Sequence, residues 1–152
     1  MGNICRSPSA EGFFEQQLAQ SDCKNAVSID SAGTHSYHIG HSPDSRAIKA
    51  ASKFGVRIGH LRARKVTASD FDDYDLIVAM DRHNLEGLQQ IQPPGSRAQL
   101  RLMMSYHPDA QPTEVPDPYY GEIDGFDYMC ELLEAATAGL LLDVESRLNR
   151  AV

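Results

Sequence analysis

Apolar positions along this chain switch repeatedly between a helical and an extended period. Residues 9–20 place Phe13, Phe14 and Leu18 on one helical face. Residues 26–30 form a short strand that Ser31-Ala32-Gly33 ends. Residues 44–54 predict a second helix with Gly55 as its C-cap. Residues 75–80 hold an apolar run without a polar break, which predicts a strand buried on both faces of a parallel sheet. Asp81 caps a helix over 82–91, and Pro93-Pro94-Gly95 breaks the chain. Residues 99–106 predict a further strand through Leu100, Leu102 and Met103. The last helix spans 126–148, with Phe126, Met129, Leu133, Ala136, Leu140, Leu141, Val144 and Leu148 on its inner face.

Strands alternating with helices imply an α/β fold with a parallel sheet. Ligands of such sheets bind beyond the strand C-termini. Three connections follow strands and can meet there: the opening loop, the turn at Ser31, and the stretch 107–121. The last carries four prolines and is too long to be a simple connector.

Between these elements lie polar stretches. Residues 34–43 carry His35, Tyr37, His38 and His41. Their spacing on a loop fixes no ligand geometry and no acidic cluster supports it, so exposed histidines are the reading preferred over a metal site. Residues 56–66 are irregular and basic, with Arg57, Arg62, Arg64 and Lys65, and read as a solvated face. Thr67 or Ser69 can cap a short turn at Asp70-Phe71.

The 152 residues make one domain able to bury a core. A net charge of −7 leaves no basic excess for nucleic acid. Cys5, Cys23 and Cys130 are too few and too scattered for a disulfide framework, which fits the reducing cytoplasm. No signal segment or membrane-length apolar run is present in the sequence.

The first ten residues, Met1-Gly-Asn-Ile-Cys-Arg-Ser-Pro-Ser-Ala10, organise the rest. Gly2 permits a positive φ and Asn3 tolerates one. Ser7-Pro8-Ser9, with Glu11 behind, reads as a helix start. Such a loop aims backbone N–H groups and a helix dipole inward, where Arg6 can add a two-pronged cation. It is an oxyanion cradle or an ordinary loop-to-helix entry.

The stretch Gly2-Asn3-Ile4-Cys5-Arg6-Ser7-Pro8-Ser9-Ala10-Glu11 resembles the signature loop of the low-molecular-weight protein tyrosine phosphatases. So do Asp30-Ser31-Ala32-Gly33-Thr34, Ala79-Met80-Asp81 with Asn84-Leu85, and Asp117-Pro118-Tyr119-Tyr120-Gly121, in the family's order. The resemblance covers essentially the whole chain. It implies a Rossmann-like, phosphotyrosine phosphatase I-like α/β fold, with a four-stranded parallel sheet flanked by helices. The family's loop reads Cys-x5-Arg, and six positions before Arg6 lies one residue upstream of Met1. The chain is therefore expected to be a truncated domain that starts just after the nucleophilic cysteine and lacks the sheet's first, interior strand. Cys5 adjoins Arg6 and matches the family's second cysteine.

The resemblance also implies roles. Arg6 and the amides of Gly2, Asn3, Ile4, Cys5 and Ser7 would bind phosphate, and Ser7 would hydrogen-bond the thiolate. Asn3 would tie the loop down, supported by Ser31 and His60. Asp117 would be the general acid. Tyr37, Tyr119 and Tyr120 would wall an aryl crevice. The substrate would be a phosphotyrosine protein, with no metal, cofactor, nucleic acid or membrane involved. A non-catalytic phosphate-binding relative is the alternative. An arsenate reductase of the same fold ranks last, because no cysteine stands between Cys23 and Cys130.

Overall fold

A computed structural model of the chain describes residues 2–119, 121–122 and 124–150. In chain order it contains α1 (Arg6–Ala19), α2 (Ser45–Lys53), the short α3 (Asp70–Asp73), β1 (Leu76–Ala79), α4 (Arg82–Ile91), β2 (Gln99–Leu102), a 3-10 turn (Met103–Tyr106) and α5 (Asp124–Arg150). It is an α/β arrangement. β1 and β2 run parallel, with Leu76 opposite Gln99 and Ala79 opposite Leu102.

Several elements form where local chemistry dictates. Asp44 caps α2 by accepting from the Arg46 N–H, and Gly55 closes it with φ +77°. The Asp81 carboxylate accepts from the Asn84 N–H at the head of α4. The larger core gathers Phe13, Phe14 and Leu18 of α1, Val56 and Ile58, and Phe126, Met129, Leu133 and Ala136 of α5. A smaller one, Val66, Phe71, Ala79, Leu88 and Ala98, lies across the sheet. Gly12 permits the close approach of α1, since a Cβ there would meet Ile58 Cγ2 at 2.5 Å.

Other expectations are corrected. Among the described residues the sheet has two strands, not four. Residues 27–32 form no ladder; only the isolated bridge Gly33–Lys65 follows them. A strand exists by pairing, and here a groove of about 650 Å³ stands between that segment and β1. Leu76, Ile77 and Val78 border this groove, so they are half-buried and not covered on both faces. The strand expected over 99–106 stops at Leu102, where the Ser105 hydroxyl donates to the Leu102 carbonyl at 2.6 Å and the chain coils. α1 begins at Arg6, not at residue 9. Neither Thr67 nor Ser69 caps α3 through its side chain; the Asp70 carboxylate reaches back to the Thr67 N–H instead. Arg64 leaves the solvated basic run to pair with Asp30 at 2.9 Å and Asp70 at 3.0 Å.

Candidate active site

The opening loop turns at Asn3, whose φ is 63°. Its buried side chain is fully used. Nδ2 donates to Ser7 Oγ at 2.8 Å and to Ser31 Oγ at 3.0 Å, and Oδ1 accepts from the Arg64 N–H at 3.1 Å. Ser31 donates onward to Glu11 Oε1 at 2.6 Å, and burial pushes the Glu11 carboxyl up. His60, expected in this network, is exposed; among the described residues the Arg64 backbone N–H donates to Asn3 instead. Gly2 precedes the left-handed Asn3. Its missing side chain makes room for a ring, because a Cβ there would meet His38 Cδ2 at 2.5 Å.

Cys5 is the N-cap of α1 without a side-chain cap bond, and Pro8 falls in the first turn, where an N–H has no partner to lose. The Ser9 hydroxyl donates back to the Cys5 carbonyl at 2.7 Å. The Cys5 thiol is buried, and that burial, with Asp44 and Asp117 nearby, pushes its pKa up to about 12. At neutral pH this disfavours the thiolate.

Arg6 is 3% exposed. One guanidinium arm donates to Asp81 Oδ2 and to the Val115 carbonyl, each at 2.8 Å. The other lies 3.5 Å from Asn84 Oδ1 and 3.9 Å from Asp117 Oδ2. Burial alone would raise the Asp81 carboxyl, but the Asn84 N–H and Arg6 outweigh it and hold it low. Asp81 was legible as a helix cap and Asn84 as part of a family motif; their grip on Arg6 was missed, although their spacing puts both at one helix head.

The proline-rich loop brings Asp117 to this point. Val115 N–H donates to the Met80 carbonyl at 2.9 Å, which ties the loop to the end of β1. Asp117 Oδ1 accepts from the Tyr119 N–H at 3.1 Å. Arg46, bonded to Asp44, donates to the Tyr119 carbonyl at 3.1 Å and lies over the Tyr119 and Phe126 rings. Nothing in the sequence singled out Arg46. A cavity of about 290 Å³ opens between Arg6, Asp81, Val115 and Asp117. Tyr37 is 80% exposed and stacks on His35, whereas His38 faces Tyr119 with ring centroids 6.2 Å apart. Tyr120 lies outside the described residues. Among the described residues no three His, Cys, Asp or Glu side chains are grouped to hold a metal, and no helix is long and apolar enough to cross a membrane.

The arrangement offers a helix N-terminus, a fixed guanidinium fork and a carboxyl group at one mouth. The sequence family described as low molecular weight phosphotyrosine protein phosphatase matches residues 1–151. A low molecular weight phosphotyrosine protein phosphatase of Saccharomyces cerevisiae is 38% identical over 84% of this chain and 81% of its own length. A low molecular weight protein-tyrosine-phosphatase of Streptomyces coelicolor is 39% identical over 97% and 92%. Among solved structures, a protein tyrosine phosphatase from Entamoeba histolytica with Hepes in its active site superposes with a TM-score of 0.91. It is 36% identical, and the match covers 96% of this chain and 93% of that one.

Proposed function

The chain belongs to the low-molecular-weight phosphotyrosine protein phosphatase family, and on that premise we propose that it hydrolyses phosphotyrosine and other aryl phosphate monoesters through a cysteinyl-phosphate intermediate. The observation that carries the reading is Asp117 Oδ2 at 3.9 Å from the pinned Arg6 fork. A pure phosphate binder has no use for an acid beside its cation.

In the reaction a thiolate attacks phosphorus as the bond to the aryl oxygen breaks. Arg6 and the loop amides hold the three remaining oxygens, and the fork matches them two at a time. Asp117 gives its proton to the departing aryl oxygen. It then takes a proton from the water that attacks phosphorus and breaks the phosphorus–sulfur bond, which frees inorganic phosphate and the thiolate.

Cys5 is no candidate for that thiolate, being buried with a pKa of about 12. We assign the nucleophile to the position before Met1, at the family's Cys-x5-Arg spacing. The groove supports this. Its rims are the extended residues 27–32 and β1, and Asn84 Nδ2, buried at its wall, has no partner among the described residues. A strand laid there would pair both rims and deliver its last residue to the loop. The three cysteines are free, which agrees with a cytoplasmic location. The substrates in this reading are phosphotyrosine proteins.

The test is para-nitrophenyl phosphate hydrolysis by the 152-residue chain and by a version extended upstream through an apolar strand ending in cysteine. Activity should reside in the extended form and survive Cys5→Ser. Turnover by the 152-residue chain that Cys5→Ser abolishes would overturn the assignment.

A further inference from the structure

Four aromatic or imidazole rings crowd residues 34–43, and one of them, His38, lies against the cradle at Gly2. His35 and Tyr37 stack on each other with centroids 5.4 Å apart, Tyr37 being mostly exposed. His38 turns the other way. Its ring lies where a side chain on Gly2 would be, so it covers the first described residue of the phosphate loop. On its far side it meets Tyr119, two residues after Asp117, at 6.2 Å, and His41 at 5.6 Å.

The loop that carries His38 is anchored just after that residue. Gly40 N–H donates to the Ala63 carbonyl at 2.8 Å, and Ala63 N–H returns a bond to the His41 carbonyl at 2.9 Å. Asp44 N–H, just beyond, donates to the Ile4 carbonyl of the phosphate loop at 2.8 Å. His38 is thus held at the mouth by backbone bonds, while its half-buried ring keeps access to solvent.

The charges around it favour a role for its own. His41 shares its loop. On α2, the Asp44 carboxylate feels His38, but that carboxylate is bound in a fork to Arg46 at 2.9 Å. Tyr119 and Asp117 face it from the proline-rich loop, where the Tyr119 N–H and Arg6 occupy Asp117. Among the described residues, Asp44 and Asp117 each already face an arginine, so a proton on His38 keeps part of its charge for a ligand. Histidine is the side chain that gains or loses its charge between about pH 5 and 8. The chain as a whole carries −7, so a local positive charge at the mouth counts against a net repulsion of acidic peptides.

We propose that His38 is a substrate-contacting specificity residue whose imidazolium makes this mouth select phosphotyrosyl peptides with acidic neighbours under mildly acidic conditions. The selection rests on the phosphatase reading above, because it needs phosphotyrosine seated in the cradle. The phosphate itself is served by Arg6 and the loop amides. His38, outside them, faces what flanks the phosphotyrosine.

The experiment measures binding of two fluorescent phosphotyrosyl peptides, one with glutamates beside the phosphotyrosine and one with glutamines, to the full 152-residue chain. Phosphotyrosine alone is the control. At about pH 5.5 the acidic peptide should bind roughly three- to fivefold tighter than the neutral one, the size expected of one solvent-facing ion pair. At about pH 8 the ratio should fall to near one. His38→Gln should hold it near one at both values. His38→Arg should keep the preference at both, which separates charge from shape. The phosphate's own titration is common to both peptides and drops out of the ratio. If phosphotyrosine binds but the ratio ignores pH and His38→Gln, the inference is overturned and the phosphatase reading stands. If phosphotyrosine binds neither this chain nor the version extended upstream, both fall.

Discussion

Arg6 and Asp81 stand 75 positions apart in the chain and 2.8 Å apart in space, as a charge pair with side chains 3% and 20% exposed. The Asp81 carboxylate engages one side of the guanidinium. It takes the arm that also serves the Val115 carbonyl and leaves the other turned toward Asn84 and Asp117.

Asp81→Asn keeps the shape and removes the charge. The buried guanidinium then loses its counter-ion, and stability should fall by about 3 kcal/mol. Urea unfolding followed by circular dichroism measures the loss. An unchanged midpoint would mean that Val115 and Asn84 alone hold Arg6.

Asn3 combines a left-handed backbone with three side-chain bonds. Asn3→Gly keeps the conformation and loses the bonds; Asn3→Ala loses both. The first should destabilise by about 2 kcal/mol and the second by about 1 kcal/mol more. Urea titration of the pair decides it, and equal losses would show that the conformation carries no strain for alanine.

Four aspartates are held below the ordinary value near 3.8: Asp44 by its hydrogen bonds from Arg46, and Asp70, Asp81 and Asp143 against burial, which pulls upward but is outweighed. Arg64, the Asn84 N–H with Arg6, and Arg147 respectively supply the main opposing contacts. A depressed folded-state pKa means that the unfolded chain binds more protons. The stability these groups confer is complete above about pH 4 and drains away as pH falls through the folded values. Urea midpoints should be level near neutrality and drop on acidification, with a shallower drop in Asp70→Asn. A midpoint that rose on acidification would contradict the sign.

If the proposed reaction runs in a version extended upstream, Asp117→Asn there should slow esters with poor leaving groups far more than those with good ones. An activated phenol departs without a proton, so the loss should span from little to on the order of 10²–10⁴-fold. Arg6→Lys should instead lose activity with every leaving group, because a point charge cannot replace the planar fork. A leaving-group series on both variants reads this out. A uniform loss in Asp117→Asn would make Asp117 a loop-positioning residue.

Elements whose determinants are local were legible in the sequence. α4 begins where Asp81 caps it, because a cap needs only its own next turn. Residues 27–32 show the opposite: they keep an extended backbone, but a strand's partner is not written in its own residues. The basic run misled for the same reason, since Arg64 finds Asp30 34 positions away. At the site, the motifs located Arg6, Asn3, Ser31 and Asp117 near one another. Arg46 escaped notice, and His38 was read only as an exposed loop histidine, because their importance lies in the rings they touch, which only folding brings to them.

The grip on Arg6 also couples occupancy of the cradle to the integrity of the whole chain. The guanidinium is reached by α1, by the head of α4 and by Val115, 109 positions along the chain, so the fork exists only when all three are in place. An unfolded chain offers phosphate nothing comparable. Any oxyanion that binds the fork therefore draws the population toward the native form, by an amount that grows with the logarithm of its concentration above its dissociation constant. A melting curve taken against rising phosphate would report assembly of the site without any turnover.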